Sequence, residues 1–295
     1  MSILAEYRKS LKLVEVEEIF DLYFYRPLAF GLVKAIYSTN ITPNQLTVFS
    51  MFVGVLGGVS FGFGHRSAVV FGALLYALAI VIDCADGQLA RLKKTGTRLG
   101  RILDGLIDYV VSVAAYVGIA IGLAPESEHP AVWWLLLAAA GASNLFHSIS
   151  LDYYRNRFLN SVQGSSPDVE DDDYQSFKEE LAALKGRKGK YFRKAAIGFY
   201  LRYLGVQKRL NTSWEEAKPL KKFNEEEFYR KNKIALRCWT FLGSSTGGTL
   251  LIVSMLLGRP DIYFWGRIVV GNIWAAIMFV VQSRIDHSLA EETAS

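Results

Sequence analysis

Four carboxylates, with Arg91 between the two pairs, fall within 26 residues of this chain. They read Asp83-Cys-Ala-Asp86-Gly87-Gln-Leu-Ala90-Arg91, then eight residues, then Gly100-Arg-Ile-Leu-Asp104-Gly-Leu-Ile-Asp108. On a helix, Asp83 and Asp86 are i, i+3 and Asp104 and Asp108 are i, i+4, so each pair shares a face. The flanks, residues 69–82 and 109–123, are apolar and read as membrane-embedded. A carboxylate at that depth is costly and marks a functional site unless a partner explains it. Four of them form a set of hard oxygen ligands. Such a set suits Mg²⁺, Mn²⁺ or Ca²⁺, and zinc is disfavoured because no Cys/His set accompanies it. A metal or metal pair in such a site grips a phosphate and offsets charge on attacking and leaving oxygens. Arg91 adds a phosphate-binding guanidinium. Gly87, Ala90 and Gly100 remove bulk where a ligand or a partner helix must approach.

Three other uses of these carboxylates compete. They can pair with Arg91, Arg98 and Arg101, although four carboxylates with small-residue gaps exceed what ion pairing requires. They can line a cation pathway in a transporter, but a pathway needs ligands and not this spacing of small residues. They can hold a diphosphate through Mg²⁺ in a membrane prenyltransferase, whose two aspartate-rich segments sit in a bundle of more spans than this chain offers.

The elements that must position the motif follow from a segregated composition. The chain is 51% hydrophobic and 21% charged, with a mean hydropathy of +0.20. Both hold only if apolar and polar blocks alternate. Six apolar blocks reach the roughly 20 residues needed to span a bilayer: about 45–63, 67–92, 99–123, 131–151, 234–257 and 262–281. The expected fold is therefore an all-α integral membrane protein of six transmembrane helices. An N-terminal amphipathic helix over 3–20 should lie in the interface, continued by an aromatic stretch to Tyr37 with a break near Arg26-Pro27. Thr42 and Pro43 mark a helix start. Gly54, Gly57, Gly58 and Gly62 in the first span favour close helix approach.

Five segments result: 1–40 amphipathic and juxtamembrane, 41–158 with four spans and the motif, a 159–233 helical insertion, 234–284 with two spans, and a 285–295 polar tail. Within the insertion, 174–185 reads as a helix, 191–206 as a basic and aromatic membrane-surface stretch, and 213–216 as a capping box. No cleavable signal peptide is expected. Cys84 and Cys238 fall in apolar helices and read as small buried residues. Lys and Arg gather in the Lys93-Lys94 loop and the insertion, so both termini and the motif are expected on the cytoplasmic side. The net charge of +5 fits cytoplasmic loops and anionic lipid rather than nucleic acid.

The pattern Asp83-x2-Asp86-Gly87-x2-Ala90-Arg91-x8-Gly100-x3-Asp104-x3-Asp108 resembles the signature of the CDP-alcohol phosphotransferases (CDP-alcohol phosphatidyltransferases), with all eight residues at the family spacing. Six spans, cytoplasmic termini and an amphipathic N-terminus extend the resemblance over most of the chain. The 159–233 insertion is longer than the family leads one to expect. The resemblance implies metal-dependent transfer of a substituted phosphate from a CDP-alcohol, a CDP-lipid above all, to an acceptor alcohol. CMP is released, in phospholipid or polyol-phosphodiester synthesis of a prokaryotic type. It implies Asp83, Asp86, Asp104 and Asp108 as ligands of Mg²⁺ or Mn²⁺, as a two-metal site, with Asp108 also the general base. Gly87, Ala90 and Arg91 would contact the cytidine diphosphate, Gly100 would give close packing, and Asn44, in Pro43-Asn44-x-x-Thr47, would lie near the nucleotide. Arg155, Arg157 and Arg237, with Lys231 and Lys233, are candidates for a phosphorylated acceptor, and His147 and Asp152 for its hydroxyls. A homodimer in the cell inner membrane is the family expectation.

Overall fold

The computed structural model describes residues 2–163, 168–184, 194, 197–198, 200–202, 205 and 225–292, and all statements below concern these. They are helical, with no strand among them. The helices are α1 (Ile3–Ser10), α2 (Arg26–Ile36), α3 (Pro43–Phe61), α4 (Arg66–Lys93), α5 (Arg98–Leu123), α6 (Pro130–Gln163), α7 (Asp168–Leu184), α8 (Glu225–Trp239), α9 (Ser244–Leu256), α10 (Pro260–Trp265) and α11 (Asn272–Glu292). Five stretches are long and apolar enough to cross a membrane, and a sixth arises if α8 and α9 count as one interrupted span. The protein is a multi-pass membrane protein. Two compact units partition the chain, Met1–Ser148 with Thr240–Ala275, and Ile149–Trp239 with Ala276–Ser295.

In the first unit α4 is the hub, with α1, α2, α3 and α9 packed against it, while α3 packs against both α4 and α5. Small residues set this arrangement. A Cβ on Gly57 would lie 2.9 Å from the Gly72 carbonyl of α4. On the other face of α3, a Cβ on Gly58 would lie 2.5 Å from the Ala114 carbonyl carbon of α5, and one on Gly118 would collide with the Gly58 carbonyl. Backbone thus meets backbone on both sides of α3, the packing that small residues permit in membranes. α4 and α5 approach each other less closely than either approaches α3. α3 is thus the shared wall of α4 and α5. One end of the gap between α4 and α5 is filled by Tyr76, Ala115 and Tyr116 of the apolar core, and the carboxylates occupy the other. Gly58→Val should cost about 3 kcal/mol by overpacking against immovable backbone, read as a lower thermal midpoint in detergent. Gly31→Ala is the matched control, because nothing lies within 4 Å of its Cβ position.

The caps agree with the sequence where the signal was local. Thr42 accepts from the Gln45 N–H at 3.4 Å and Gln45 Oε1 accepts from the Thr42 N–H at 2.9 Å, a reciprocal capping box with Pro43 at the first position. Thr97 caps α5 at 3.0 Å through the Gly100 N–H. α4 ends on Lys94, whose φ of 52° is left-handed, and which permits the tight turn into α5.

Two expected elements differ. Residues 3–20 do not form one amphipathic helix: α1 stops at Ser10, and a 3₁₀ turn at Val14–Val16 follows. The break near Arg26-Pro27 is absent as well. A π turn at Asp21–Tyr25 runs directly into α2, with the Arg26 N–H bonded to the Asp21 carbonyl. The widened turn accommodates the missing N–H and the ring of Pro27. The expected continuous span 234–257 is interrupted at Thr240–Gly243. Within the first unit, Arg267 Nη2 donates to the Leu242 carbonyl at 3.1 Å and Glu18 accepts from the Thr246 N–H at 2.8 Å and its hydroxyl at 3.0 Å. Protein groups therefore satisfy the backbone that the interruption frees, the condition for irregular chain at membrane depth. A Cβ at Gly243 would collide with the Glu18 carboxyl, so the glycine is required there.

In the second unit, Tyr154 stacks on Trp239 with ring centroids 4.4 Å apart, and Phe279 meets Trp239 edge-on. α6 continues past the expected boundary at 158 to Gln163, and the helix expected over 174–185 is found as Asp168–Leu184. The stretch 191–206 lies largely, and 213–216 wholly, outside the described residues.

Candidate active site

The last turns of α4 and the first turns of α5 bring Asp83, Asp86 and Asp104 together. One carboxylate oxygen from each lies within 4.8 Å of the others. Asp86 is buried, and Asp83 and Asp104 are half-buried. Asp83 Oδ1 and Asp86 Oδ2 are buried without a hydrogen-bond partner. A buried anionic oxygen left without a donor is strongly disfavoured. Two such oxygens converging with the Asp104 carboxylate fit a divalent cation, and the all-oxygen character of the set fits Mg²⁺ or Mn²⁺. Asp108 is not among the three. It lies one turn further along α5 and is exposed. Of the four carboxylates expected to act together, three have oxygens within 4.8 Å of one another.

The Arg91 guanidinium folds back along α4 over Gly87, whose Cβ position would lie 3.4 Å from Arg91 Nη1. Arg91 Nε donates to the Ser10 carbonyl at 2.5 Å, and Nη2 is buried without a partner. A buried cationic N–H aimed at nothing is the complement of an anionic oxygen. At the other side, a Cβ on Gly100 would lie 2.9 Å from Asn44 Oδ1 and 3.1 Å from Thr97 Oγ1. Asn44 and Gly100 are therefore in contact, as α3 and α5 must be if Asn44 is to reach the motif. Ala90 is half-buried on α4, one residue before Arg91.

The acceptor candidates are placed differently. Arg155, Arg157 and Arg237 belong to the second unit. Arg157 makes two 3.0 Å hydrogen bonds to Asp286 and stacks its guanidinium over Phe228. Arg155 pairs with Asp152 at 3.5 Å, Lys231 with Glu227 at 3.1 Å, and Lys233 lies over the Tyr229 ring. His147, in the first unit, is fully buried against Gly271, with Nε2 2.9 Å from Asn272 Oδ1. It holds helices together rather than lining an open site.

Sequence reasoning missed a buried charged group in the N-terminal segment. Glu17, Glu18, Asp21 and Arg26 are 2%, 4%, 8% and 7% exposed, although they read as a solvated polar face. Arg26 pairs with Glu17 at 2.6 Å. Burial works to lower the Arg26 guanidinium pKa, but Glu17, Cys84 and Asp21 together outweigh it and hold the group above its ordinary value. The available signal was the sheer density of acids beside Arg26, which an interfacial helix does not need.

Comparison with known proteins bears on the same residues. The CDP-alcohol phosphatidyltransferase family model matches residues 40–156. An archaetidylinositol phosphate synthase of Pyrococcus horikoshii is 34% identical over 89 residues, 30% of this chain and 46% of that protein. A CDP-diacylglycerol--glycerol-3-phosphate 3-phosphatidyltransferase of Sodalis glossinidius is 35% identical over 98 residues, 33% of this chain and 50% of that protein. A bifunctional IPC transferase and DIPP synthase of Thermococcus kodakarensis is 23% identical over 128 residues, 43% of this chain and 28% of that protein. The chain thus spans half or less of the length of these relatives. The residues that match the CDP-alcohol phosphatidyltransferase family model contain the whole 83–108 motif.

Proposed function

We propose that this protein transfers a substituted phosphate from a CDP-alcohol, a CDP-lipid in particular, to an acceptor alcohol and releases CMP, in phospholipid or polyol-phosphodiester synthesis. The observation that carries the reading is the convergence of Asp83, Asp86 and Asp104, with a buried, unpartnered oxygen on each of Asp83 and Asp86, inside the segment that matches the family model. These three, with Asp108 beside them, would hold Mg²⁺ or Mn²⁺, as a pair of ions. The bound metal supplies Lewis-acid polarisation of the diphosphate and neutralises charge on the departing CMP.

The chain's own groups do the rest. Arg91, already oriented by Ser10, offers its free Nη2 to a diphosphate oxygen. Gly87 leaves room for that guanidinium, and Ala90 keeps the adjoining surface shallow. Asn44, held against Gly100, lies at the nucleotide side. Asp108, one turn further along α5, completes the site and is the proposed base. It accepts the proton of the acceptor hydroxyl as the hydroxyl oxygen bonds to the phosphorus bearing the alcohol. The bond from that phosphorus to the CMP oxygen breaks, and CMP carries the electron pair away. General-base assistance of this kind contributes about 10² to 10⁴ in rate.

Phosphorylated polyols are the proposed acceptor class, because similar proteins are named for glycerol-3-phosphate and inositol phosphate products. The active-site end, with the Lys93-Lys94 loop, is proposed to face the cytoplasm of the inner membrane, where such soluble acceptors occur, and a homodimer is the proposed assembly. The test is a screen of CDP-diacylglycerol against glycerol 3-phosphate, inositol phosphate and unphosphorylated polyols, with products identified by mass. The expected result is one phosphodiester product with stoichiometric CMP; absence of CMP with every pair would reject the reading.

A narrower expectation concerns Gly100. Gly100→Ala should push Asn44 aside without breaking the fold, since the clash falls on side-chain ends. CDP affinity should drop about tenfold, the effect of losing roughly 1.4 kcal/mol, with the thermal midpoint nearly unchanged. Titration with CDP in the presence of Mn²⁺ checks both.

A further inference from the structure

The segment between α1 and α2 is folded on itself by one carboxylate. Glu17 Oε2 pairs with Arg26 at 2.6 Å, and Glu17 Oε1 accepts from the Lys12 N–H at 2.9 Å. Glu17 is 2% exposed, so this closure is made inside the protein. The folded segment presents two backbone carbonyls to α4. The Arg26 carbonyl accepts from Gln88 Nε2 at 3.2 Å, and the Ser10 carbonyl accepts from Arg91 Nε at 2.5 Å. Gln88 and Arg91 are three apart and share one face of α4. The segment therefore grips the end of α4 at two points a single turn apart, and one of the two is the guanidinium whose Nη2 is buried and unpartnered.

An arginine side chain has four rotatable bonds, and fixing it costs conformational entropy. Here the cost is met before any ligand arrives. With Nε tied to Ser10 and the guanidinium plane lying over Gly87, the orientation of the outer nitrogens is set. Ser10 itself cannot be displaced easily: its hydroxyl donates to the Tyr7 carbonyl at 2.6 Å, and the residue is fully buried.

We propose that Glu17 is a positioning residue for Arg91: by closing the Lys12–Arg26 loop it sets the Ser10 carbonyl that orients the guanidinium toward an anionic phosphate oxygen. This rests on the reading of Arg91 as a diphosphate-binding group. Glu17 bonds Lys12 and Arg26 and is not one of the three clustered carboxylates.

A double-mutant cycle on the full chain in detergent, read by CDP binding with Mn²⁺, tests it. Glu17→Ala should weaken CDP binding about tenfold in the wild-type background, the scale of one charge-assisted hydrogen bond. In an Arg91→Ala background the same substitution should change nothing, because the group it orients is gone. Glu17→Gln keeps an oxygen for the Lys12 N–H but loses the ion pair. It should give a smaller loss, and it serves if the alanine variant does not fold. Equal weakening by either Glu17 variant in both backgrounds, or none in the wild-type background, would overturn the positioning role. Failure of the wild-type protein to bind CDP at all would instead overturn the phosphotransferase reading on which the role depends.

Discussion

Asp86→Asn is expected to abolish turnover, lowering the rate about a thousandfold or more. Asp86 is the most buried of the three clustered carboxylates, at 6% exposure, and one of its oxygens has no protein partner. The substitution keeps the shape and removes the charge, and one donor N–H would then point into an oxygen-rich centre. A metal at such a centre contributes several kcal/mol of transition-state charge stabilisation, and each 1.36 kcal/mol is tenfold in rate. The same variant should show weakened Mn²⁺ binding, measurable by titration without any substrate. Removal of metal by chelation should silence the wild-type protein and be reversed by adding Mg²⁺ or Mn²⁺. Retention of full activity in Asp86→Asn would show that the cluster does not hold the catalytic ion.

Asp108→Asn should also abolish turnover, by about 10² to 10⁴, but with a different signature. Asp108 lies outside the cluster of three and is exposed. Its loss should spare CDP affinity more than Asp83→Asn does while kcat collapses. Asp83→Asn, in contrast, should reduce both binding and turnover. Binding and rate measured on the two variants side by side separate a base from a ligand. If Asp108→Asn lost nucleotide and metal binding as fully as Asp83→Asn, the assignment of Asp108 as base would be wrong, and the original ring of four ligands would be restored.

What could be read from the chain followed the range of the interaction concerned. Thr42 and Pro43 announce the start of α3 because a capping box is a four-residue affair. The glycines of α3 announce close packing because only backbone contact needs them, and Gly57 and Gly58 meet α4 and α5 as their positions suggested. Asp83, Asp86 and Asp104 come together because a short loop and two helical periods leave them little choice. Spacing alone did not reveal that α3, rather than direct α4–α5 packing, makes the gap in which they sit.

Contacts between distant parts of the chain left no local mark. Glu18 and Thr246 are 228 residues apart, and their bond decides where the fifth span breaks. Glu15, Glu17 and Glu18 beside apolar residues mimic an amphipathic helix, so the burial of Glu17 against Arg26 was hidden by a pattern with a simpler meaning. Arg157 illustrates the reverse. Its position at a helix end suggested a ligand for a phosphorylated acceptor, yet in its own unit it is bound on both outer nitrogens by Asp286. Substituting it is therefore expected to loosen that unit. Asp286→Asn would test this by lowering stability with little direct effect on metal or CDP binding.

The most direct measurement is CMP release by the purified full chain from CDP-diacylglycerol, with and without an added acceptor, in Mn²⁺ and in excess chelator. The account predicts CMP only when metal and acceptor are both present, with none in Asp86→Asn. CMP formation that persists in chelator, or in Asp86→Asn at the wild-type rate, would contradict it.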